Sequence, residues 1–396
     1  MKSPLALTAL VLTLSTAPAA DWPQWLGPRR DGSSEEIVAP WKQAPKIFWK
    51  QPVGEGHSAP VVAGGKVFLF SKVADKDDEQ VEAFDAVTGK RIWSQTCQRG
   101  AFKGLFGNGP RGTPAVDNGK VYTLGITGVL TCLNAADGSR NWQVDTLKQY
   151  RAANLFFGVS GSPLVDGNRV FVNVGGKGAS IVAFDKTTGK EAWKALDDKA
   201  SYSSPIAIGK NDTRLLIFLT AKGLVGIAPY DGSVEWQFPF QDAINESSTT
   251  PVLVGDLLLG SSITLGCVGI KLEGTKVSKQ WLDADLTCYF STPVAVGKDH
   301  VYLVTGSILS KQASLHCIEA ATGKKLWTRK DKVGTYHASL LRTGDNKLLL
   351  LEEEGNLVLV DPNPQEYREL ARAKICGNTW AHPALANGRL YVRDNR

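Results

Sequence analysis

Methionine occurs once in this chain of 396 residues and histidine five times. No apolar stretch beyond the first twenty residues is long enough to cross a bilayer, which excludes a helical membrane span from the remainder of the chain. The six cysteines stand at 97, 132, 267, 288, 317 and 376, with no adjacent pair and no C-x-x-C. That spacing excludes a zinc-ribbon or thioredoxin-type motif, and it does not read as a disulfide framework. None stands near the N-terminus, so a lipid anchor on a new terminal cysteine is excluded as well. G-x-S-x-G, the phosphate-binding P-loop and H-E-x-x-H are all missing, and with them every motif-based argument for catalysis. Lys and Arg number 45 against 39 Asp and Glu, spread along the chain, which argues against a dedicated nucleic-acid surface. The charge run singled out is Glu352-Glu353-Glu354, which reads as a solvated strand end or turn and not as a Ca²⁺ site.

The first twenty residues have their own grammar. Lys2, the apolar run Leu5 to Leu14 and the small residues Ala17-Pro18-Ala19-Ala20 follow one another in the order of a secretory signal peptide. The chain divides into a signal peptide (1–20), a leader (21–45) and a single repeat domain (46–396). It is expected to be exported, periplasmic or extracellular, soluble and not lipid-anchored.

Repeats decide the fold class. Ala83-Phe84-Asp85-Ala86-Val87-Thr88-Gly89-Lys90-Arg91-Ile92-Trp93 returns as Ala183-Phe184-Asp185-Lys186-Thr187-Thr188-Gly189-Lys190-Glu191-Ala192-Trp193. Looser copies end at Trp142, Trp236 and Trp327, a worn copy ends at Trp281, and one around Leu359-Val360-Asp361 has lost its tryptophan. With Trp49 upstream, the tryptophans recur every 43 to 51 residues, the period of a propeller blade. A second marker, Ser/Thr-Pro or a variant before alternating apolar residues, opens each unit. It occurs at Pro60, Pro114, Pro163, Pro205, Pro251, Pro293 and Pro383, with Ser339-Leu340 supplying an eighth start without proline. Turns such as Asp117-Asn118-Gly119 and Asp166-Gly167-Asn168 then join two strands.

Each unit reads as strands A, B, C and D, with the Asp on C and the Trp on D. The expectation is all-β: an eight-bladed β-propeller of four-stranded antiparallel blades. Lys46 to Lys50 resembles a D strand with nothing before it, and the chain ends after an A and a B strand. Joining the two closes the ring, with the C strand of the last blade unaccounted for. Glycine permits the C–D turn, Asp caps its amides, and tryptophan offers a flat face to the next blade. Trp49, Trp93, Trp142, Trp193, Trp236, Trp281 and Trp327 are therefore read as structural blade-docking residues.

Function is expected on the loops between strand D and the next strand A, which surround the channel; the most distinctive are Gly104 to Arg111, with Leu105 and Phe106, and Gln149 to Phe157, with Phe156. Three residues before each start stand His57, Arg111, Ser160, Tyr202, Ser248, Phe290, His337 and Trp380. Of these, His57, Arg111, Tyr202, Phe290, His337 and Trp380 form the candidate binding face: aromatics for contact area, Arg for anions. His57 and His337 are placed opposite or nearly opposite, too far apart to share one metal ion, and no metal site or catalytic residue is assigned.

The A-F-D-x-x-T-G-K-x-x-W repeats resemble those of the pyrroloquinoline quinone (PQQ) repeat propellers, which include quinoprotein dehydrogenases and the outer-membrane assembly lipoproteins of the BamB type. The resemblance covers roughly residues 46 to 396, and the leader Asp21 to Gly32 is similar to that of exported bacterial proteins of this kind. It implies a non-catalytic binding or assembly scaffold acting on a protein, peptide or glycan through the D–A loop face. The partner is not nucleic acid, and the propeller is expected to be monomeric. The alternative it implies is a periplasmic oxidoreductase, PQQ-dependent or other, using the channel mouth. In the dehydrogenases the quinone lies over a disulfide between adjacent cysteines beside a Ca²⁺, and this chain has no Cys-Cys pair. No cofactor is therefore expected, and PQQ with Ca²⁺ is the disfavoured alternative.

Overall fold

The structure, a computed structural model, describes residues 20–307 and 311–395; the signal-peptide expectation falls on residues that, except for Ala20, lie outside the described part. Alternating apolar residues between glycine-rich turns form antiparallel meanders throughout. Sheet one consists of Val61–Ala63, Lys66–Lys72, Glu79–Asp85 and Arg91–Cys97. Six more four-stranded sheets follow in chain order. Their first and last strands are Ala115–Asp117 and Arg140–Asp145 in sheet two, Leu164–Asp166 and Glu191–Ala195 in sheet three, and Ile206–Ile208 and Val234–Pro239 in sheet four. Sheets five, six and seven run from Val252–Val254 to Lys276–Asp283, from Val294–Val296 to Lys325–Thr328, and from Ala338–Arg342 to Arg368–Lys374. The eighth start opens only a two-stranded hairpin, Ala384–Ala386 with Arg389–Tyr391. Seven four-stranded sheets thus stand where eight are expected. Lys46 to Lys50 carries no strand, because a ladder requires a neighbour and none lies beside it.

Sheets adjacent in sequence bury their faces against each other, the arrangement of propeller blades. Phe68, Phe70 and Val81 of sheet one meet Val121 and Leu133 of sheet two. The same pattern continues to the cluster in which Leu349 and Leu359 of sheet seven join Leu385 and Tyr391 of the hairpin and Val67 and Phe84 of sheet one. All six cysteines are free thiols and five of them are buried, as expected of small residues between sheets.

The C–D corner shows what the repeated residues do. Asp85 Oδ1 accepts from Val87 N (3.2 Å), Thr88 N (2.8 Å) and Thr88 Oγ1 (2.7 Å), and Asp185 repeats the arrangement with Thr187 and Thr188. Gly138 has φ +76°, and a Cβ there would lie 2.6 Å from the Trp93 ring, so glycine is required both by the turn and by the close approach. All seven C–D ladders slip by one residue at the same place, just beside the tryptophan position or, in sheet seven, Ala371. Indole N–H groups reach across to the following sheet: Trp93 to Ala135 O (3.2 Å), Trp142 to Lys186 O (3.1 Å), Trp193 to Pro229 O (3.0 Å), Trp281 to Ala320 O (2.9 Å) and Trp327 to Asn363 O (2.8 Å). Trp49 makes the same bond to Ala86 O (3.3 Å), whereas the buried Trp236 N–H has no partner.

The Ser/Thr of the Ser/Thr-Pro marker has a role its proline does not suggest. Its hydroxyl accepts from the backbone N–H at the equivalent position of the preceding sheet. The series runs Ala59 N to Thr113 Oγ1 (3.1 Å), Thr113 N to Ser162 Oγ (2.9 Å) and Ser162 N to Ser204 Oγ (2.9 Å). Thr250 N to Thr292 Oγ1 (3.3 Å) repeats it further round. These bonds satisfy amides that have no ladder partner at the strand start.

The leader is part of this body. Trp22 exchanges two backbone hydrogen bonds with Val62 of sheet one, and Val116 N of sheet two donates to Pro23 O. Arg30 donates to Pro163 O (3.0 Å) and Ser162 O (3.2 Å), Trp25 Nε1 to Thr250 Oγ1 (2.8 Å), and Arg342 N to Gly32 O (2.8 Å). The leader thus ties together sheets one, two, three, five and seven, and Trp25 also lines the cavity described below.

Candidate functional site

At the other end, the D–A loops converge on Phe106. Its ring centroid lies 5.5 Å from Phe157, 6.5 Å from Phe290, 6.3 Å from Tyr336 and 5.2 Å from Trp380. His57 stacks on Trp380 at 5.3 Å, and Phe290 stacks on the same indole at 5.3 Å. Offset and edge contacts of this kind favour a fixed cluster over a mobile lid. The backbone beneath is tied down as well. Phe106 O meets His57 Nε2 (2.9 Å) and Arg111 Nη1 (3.3 Å), and Arg111 Nε donates to Phe157 O (2.7 Å).

Between this plug and Trp25 of the leader lies a cavity of about 120 Å³. Of the column read from the sequence, His57, Arg111, Ser160, Tyr202, Ser248, Phe290 and Trp380 all line it. His337 does not. It is buried, with Nδ1 3.2 Å from Ser291 Oγ and Nε2 3.0 Å from Ser339 Oγ, bound to hydroxyls near the strand starts. Nor is it opposite His57. The two rings share one side of the channel, linked through Trp380, which stacks on His57 and meets Tyr336 edge-on at 5.9 Å. The first and seventh of eight starts are separated only by the eighth, so spacing along the chain overstates their distance around the axis.

The electrostatics are those of a desolvated mouth. Burial, with Arg111 alongside, lowers His57 to about 4, and burial lowers His337 to about 3, so both are neutral near pH 7. Burial also lowers Arg111, to about 10, still cationic at neutral pH. Glu246 accepts from the Tyr289 hydroxyl at 2.5 Å, and burial raises that phenol. The cavity therefore has one cation, one carboxylate held by a phenol, and a rim of hydroxyls and aromatics.

The loops that carry Phe106 and Phe157 were singled out from the sequence, though neither ring was assigned to the site; Glu246, Tyr289 and the leader's Trp25 were missed, Trp25 because nothing local says where the leader packs. The acidic run is also corrected. Glu352 is buried and paired with Arg329 and Arg372, each at 2.7 Å, while Glu353 is only half-buried. Glu353 accepts from Trp380 Nε1 (2.8 Å), Thr335 N (2.5 Å) and Tyr336 N (2.9 Å), positioning two aromatics of the mouth. A buried ring of aromatic side chains needs such anchors, and a charge run in sequence does not say which partners await it.

The fold defines a β-propeller of the PQQ-like repeat class. The chain belongs to the family described as outer membrane protein assembly factor BamB, whose model matches residues 33–103 and 77–329. It is 24% identical to BamB of Burkholderia pseudomallei over 87% of this chain and 84% of that protein. It is 30% identical to the quinohemoprotein alcohol dehydrogenase ADH-IIG of Pseudomonas putida, over 35% of this chain and 19% of the enzyme. The chain thus spans about a fifth of that dehydrogenase. Among solved structures, the quinohemoprotein alcohol dehydrogenase of Comamonas testosteroni has the same fold, with a TM-score of 0.66 and 15% identity, over 92% of this chain and 74% of that one.

The residues present do not fit the quinone that the dehydrogenase names imply. A tricyclic tricarboxylate requires several cations, and the cavity offers Arg111, whose Nε and both terminal nitrogens already donate to backbone carbonyls. Among the described residues, no group of three or more His, Cys, Asp or Glu is placed to hold a metal ion.

Proposed function

We propose that this chain is an exported, non-catalytic assembly scaffold: an eight-bladed propeller, closed by its tryptophan-docked N-terminal segment, that binds a polypeptide partner on the D–A loop face. The observation that carries this reading is at the mouth. Two neighbouring loops project Leu105, 74% exposed, and Phe156, 68% exposed, directly beside the fixed aromatic cluster. Large apolar side chains held out over a rigid base serve as anchors for a partner surface. Lys103 and Arg151, both exposed, flank them and favour an acidic rim on the partner. The family's description as an assembly factor agrees with this use. The tryptophan bonds from sheet to sheet support a rigid ring that presents the face without reshaping it.

Site-specific photocrosslinkers at Leu105 and Phe156 test the proposal in cells, with Val87 and Tyr230 on the C–D turns as exposed controls. Discrete adducts from the first pair alone are expected. Equal adducts from both pairs, or none from the first, overturn it.

The oxidoreductase alternative rests on similarity to the dehydrogenases over a third of the chain. Calorimetric titration with PQQ, with and without Ca²⁺, decides it: saturable micromolar binding, about −8 kcal/mol, would restore that reading.

A further inference from the structure

The aromatic side chains at the mouth are joined ring to ring in an arc. Tyr202 meets Phe157 at 5.7 Å, Phe157 meets Phe106 at 5.5 Å, Phe106 meets Phe290 at 6.5 Å, and Phe290 lies 3.8 Å from Tyr289. Both ends of the arc come to the same short stretch of chain. The Tyr289 hydroxyl donates to Glu246 Oε2 at 2.5 Å, and the Tyr202 backbone N–H donates to Ser247 O at 3.0 Å. The Glu246 carboxylate thus stands where the arc closes, and these rings and Glu246 all line the cavity of about 120 Å³. Its other oxygen, Oε1, has no hydrogen-bond partner among the described residues.

The one cation of the cavity stands apart from that carboxylate. Among the described residues no ion pair joins Arg111 to Glu246, and the charged or polar groups that act on Arg111 are Tyr202 and Glu55. The Tyr202 phenol lies between the two. Burial raises it, the Phe157 amide opposes the rise, and the Glu246 and Arg111 charges pull it in opposite directions. Arg111 donates to Phe106 O and Gly107 O from its terminal nitrogens, which leaves a second N–H on each. Such a fork suits one carboxylate. The neighbouring His57 is neutral near pH 7 and adds no second positive charge.

A carboxylate ringed by aromatic faces at one side and an arginine fork at the other complement a molecule that carries both charges. Aromatic faces hold methylated ammonium groups, because the positive charge meets the ring quadrupole while the methyls need no hydrogen bonds. A primary ammonium needs acceptors for three N–H groups, which ring faces do not supply. Cavities of about 150 Å³ hold a benzene-sized molecule, so the occupant is one small molecule. Arg111, Ser160, Glu246 and Ser248 are half-buried, and the lining is reached from solvent on that side.

We propose that this cavity binds a compact zwitterion of the betaine kind, its methylated ammonium within the aromatic arc against Glu246 and its carboxylate on Arg111. The site is separate from the loop-face reading, since neither Leu105 nor Phe156 lines the cavity.

The test is calorimetric titration of the whole chain with glycine betaine. Saturable binding with a Kd below about 1 mM is expected. Two analogues divide the charges. In 3,3-dimethylbutanoate a carbon replaces the charged nitrogen at unchanged shape, and choline keeps the trimethylammonium without the carboxylate. Each should bind about tenfold more weakly than glycine betaine. Glu246→Gln keeps an oxygen for the Tyr289 hydroxyl and removes the charge. It should weaken glycine betaine about tenfold and leave 3,3-dimethylbutanoate unchanged. The analogue comparison needs no variant, so it stands even where Glu246→Gln does not fold. Absence of saturable glycine betaine binding, equal binding of either analogue, or equal binding by a folded Glu246→Gln overturns the proposal. Crosslinking from Leu105 and Phe156 reads a different surface, so failure here is distinct from failure of the loop-face reading.

Discussion

Replacing Glu79 by Gln should remove a pH dependence of stability that one buried carboxyl imposes on the junction of sheets one and two. Glu79 is 1% exposed at the start of its strand, and Oε1 accepts from Ile126 N at 3.0 Å. A Cβ on Gly125 would lie 2.1 Å from Oε2, so the carboxyl is wedged against the turn of the next sheet. Burial raises it from 4.5 to about 7, against the opposing effects of the Ile126 amide and the Arg99 guanidinium. Between those two values the folded chain holds a proton that the unfolded chain has lost. Its contribution is complete below the unfolded value, falls as pH rises through about 7, and is then flat. At about 1.4 kcal/mol per unit, the interval amounts to ~3 kcal/mol. Unfolding entropy of roughly 2 cal/mol/K per residue makes that about 4 °C in Tm for a chain of this length. Thermal unfolding of both proteins at pH 4.5, 6 and 8 measures it. Glu79→Gln retains the hydrogen bond to Ile126 and should gain on the wild type by this amount between the lowest and highest pH. Parallel Tm profiles would refute the reasoning.

Three further outcomes follow from particular contacts. Trp93→Phe strands the Ala135 carbonyl and should cost about 1 kcal/mol more than Trp236→Phe, whose indole N–H has no partner; denaturant midpoints compare them. Gly138→Ala meets the Trp93 ring and should destabilise by ~1–3 kcal/mol beyond Gly274→Ala, which has a similar positive φ but open space, so matched Tm values would refute the packing argument. Glu353→Ala frees Trp380 and the Tyr336 backbone, and should raise acrylamide quenching of tryptophan fluorescence with little loss of overall fold.

Short-range features of this molecule were legible because the chain repeats them. A turn that needs glycine, an aspartate that caps its amides and a tryptophan one bulge away all act within about ten residues, so each copy states the same local physics. The blade period follows, and with it the column of residues at the channel mouth, seven of whose eight members line the cavity. The family follows from the same repeats.

What crosses between repeats was not legible. Phe106 becomes a plug only because four other D–A loops bring aromatics to meet it. Glu353 is an anchor because Trp380 and Tyr336 arrive from different connections, and Trp25 lines the cavity because the leader packs across to Thr250. The hydroxyl of the Ser/Thr-Pro marker finds its donor on the preceding sheet, some fifty residues away. The sequence by itself determined the period, the blade and the faces that must be buried, since these are properties of a strand and its neighbours in the chain. Only tertiary structure decided what fills the channel, because that depends on how the sheets meet around a common axis.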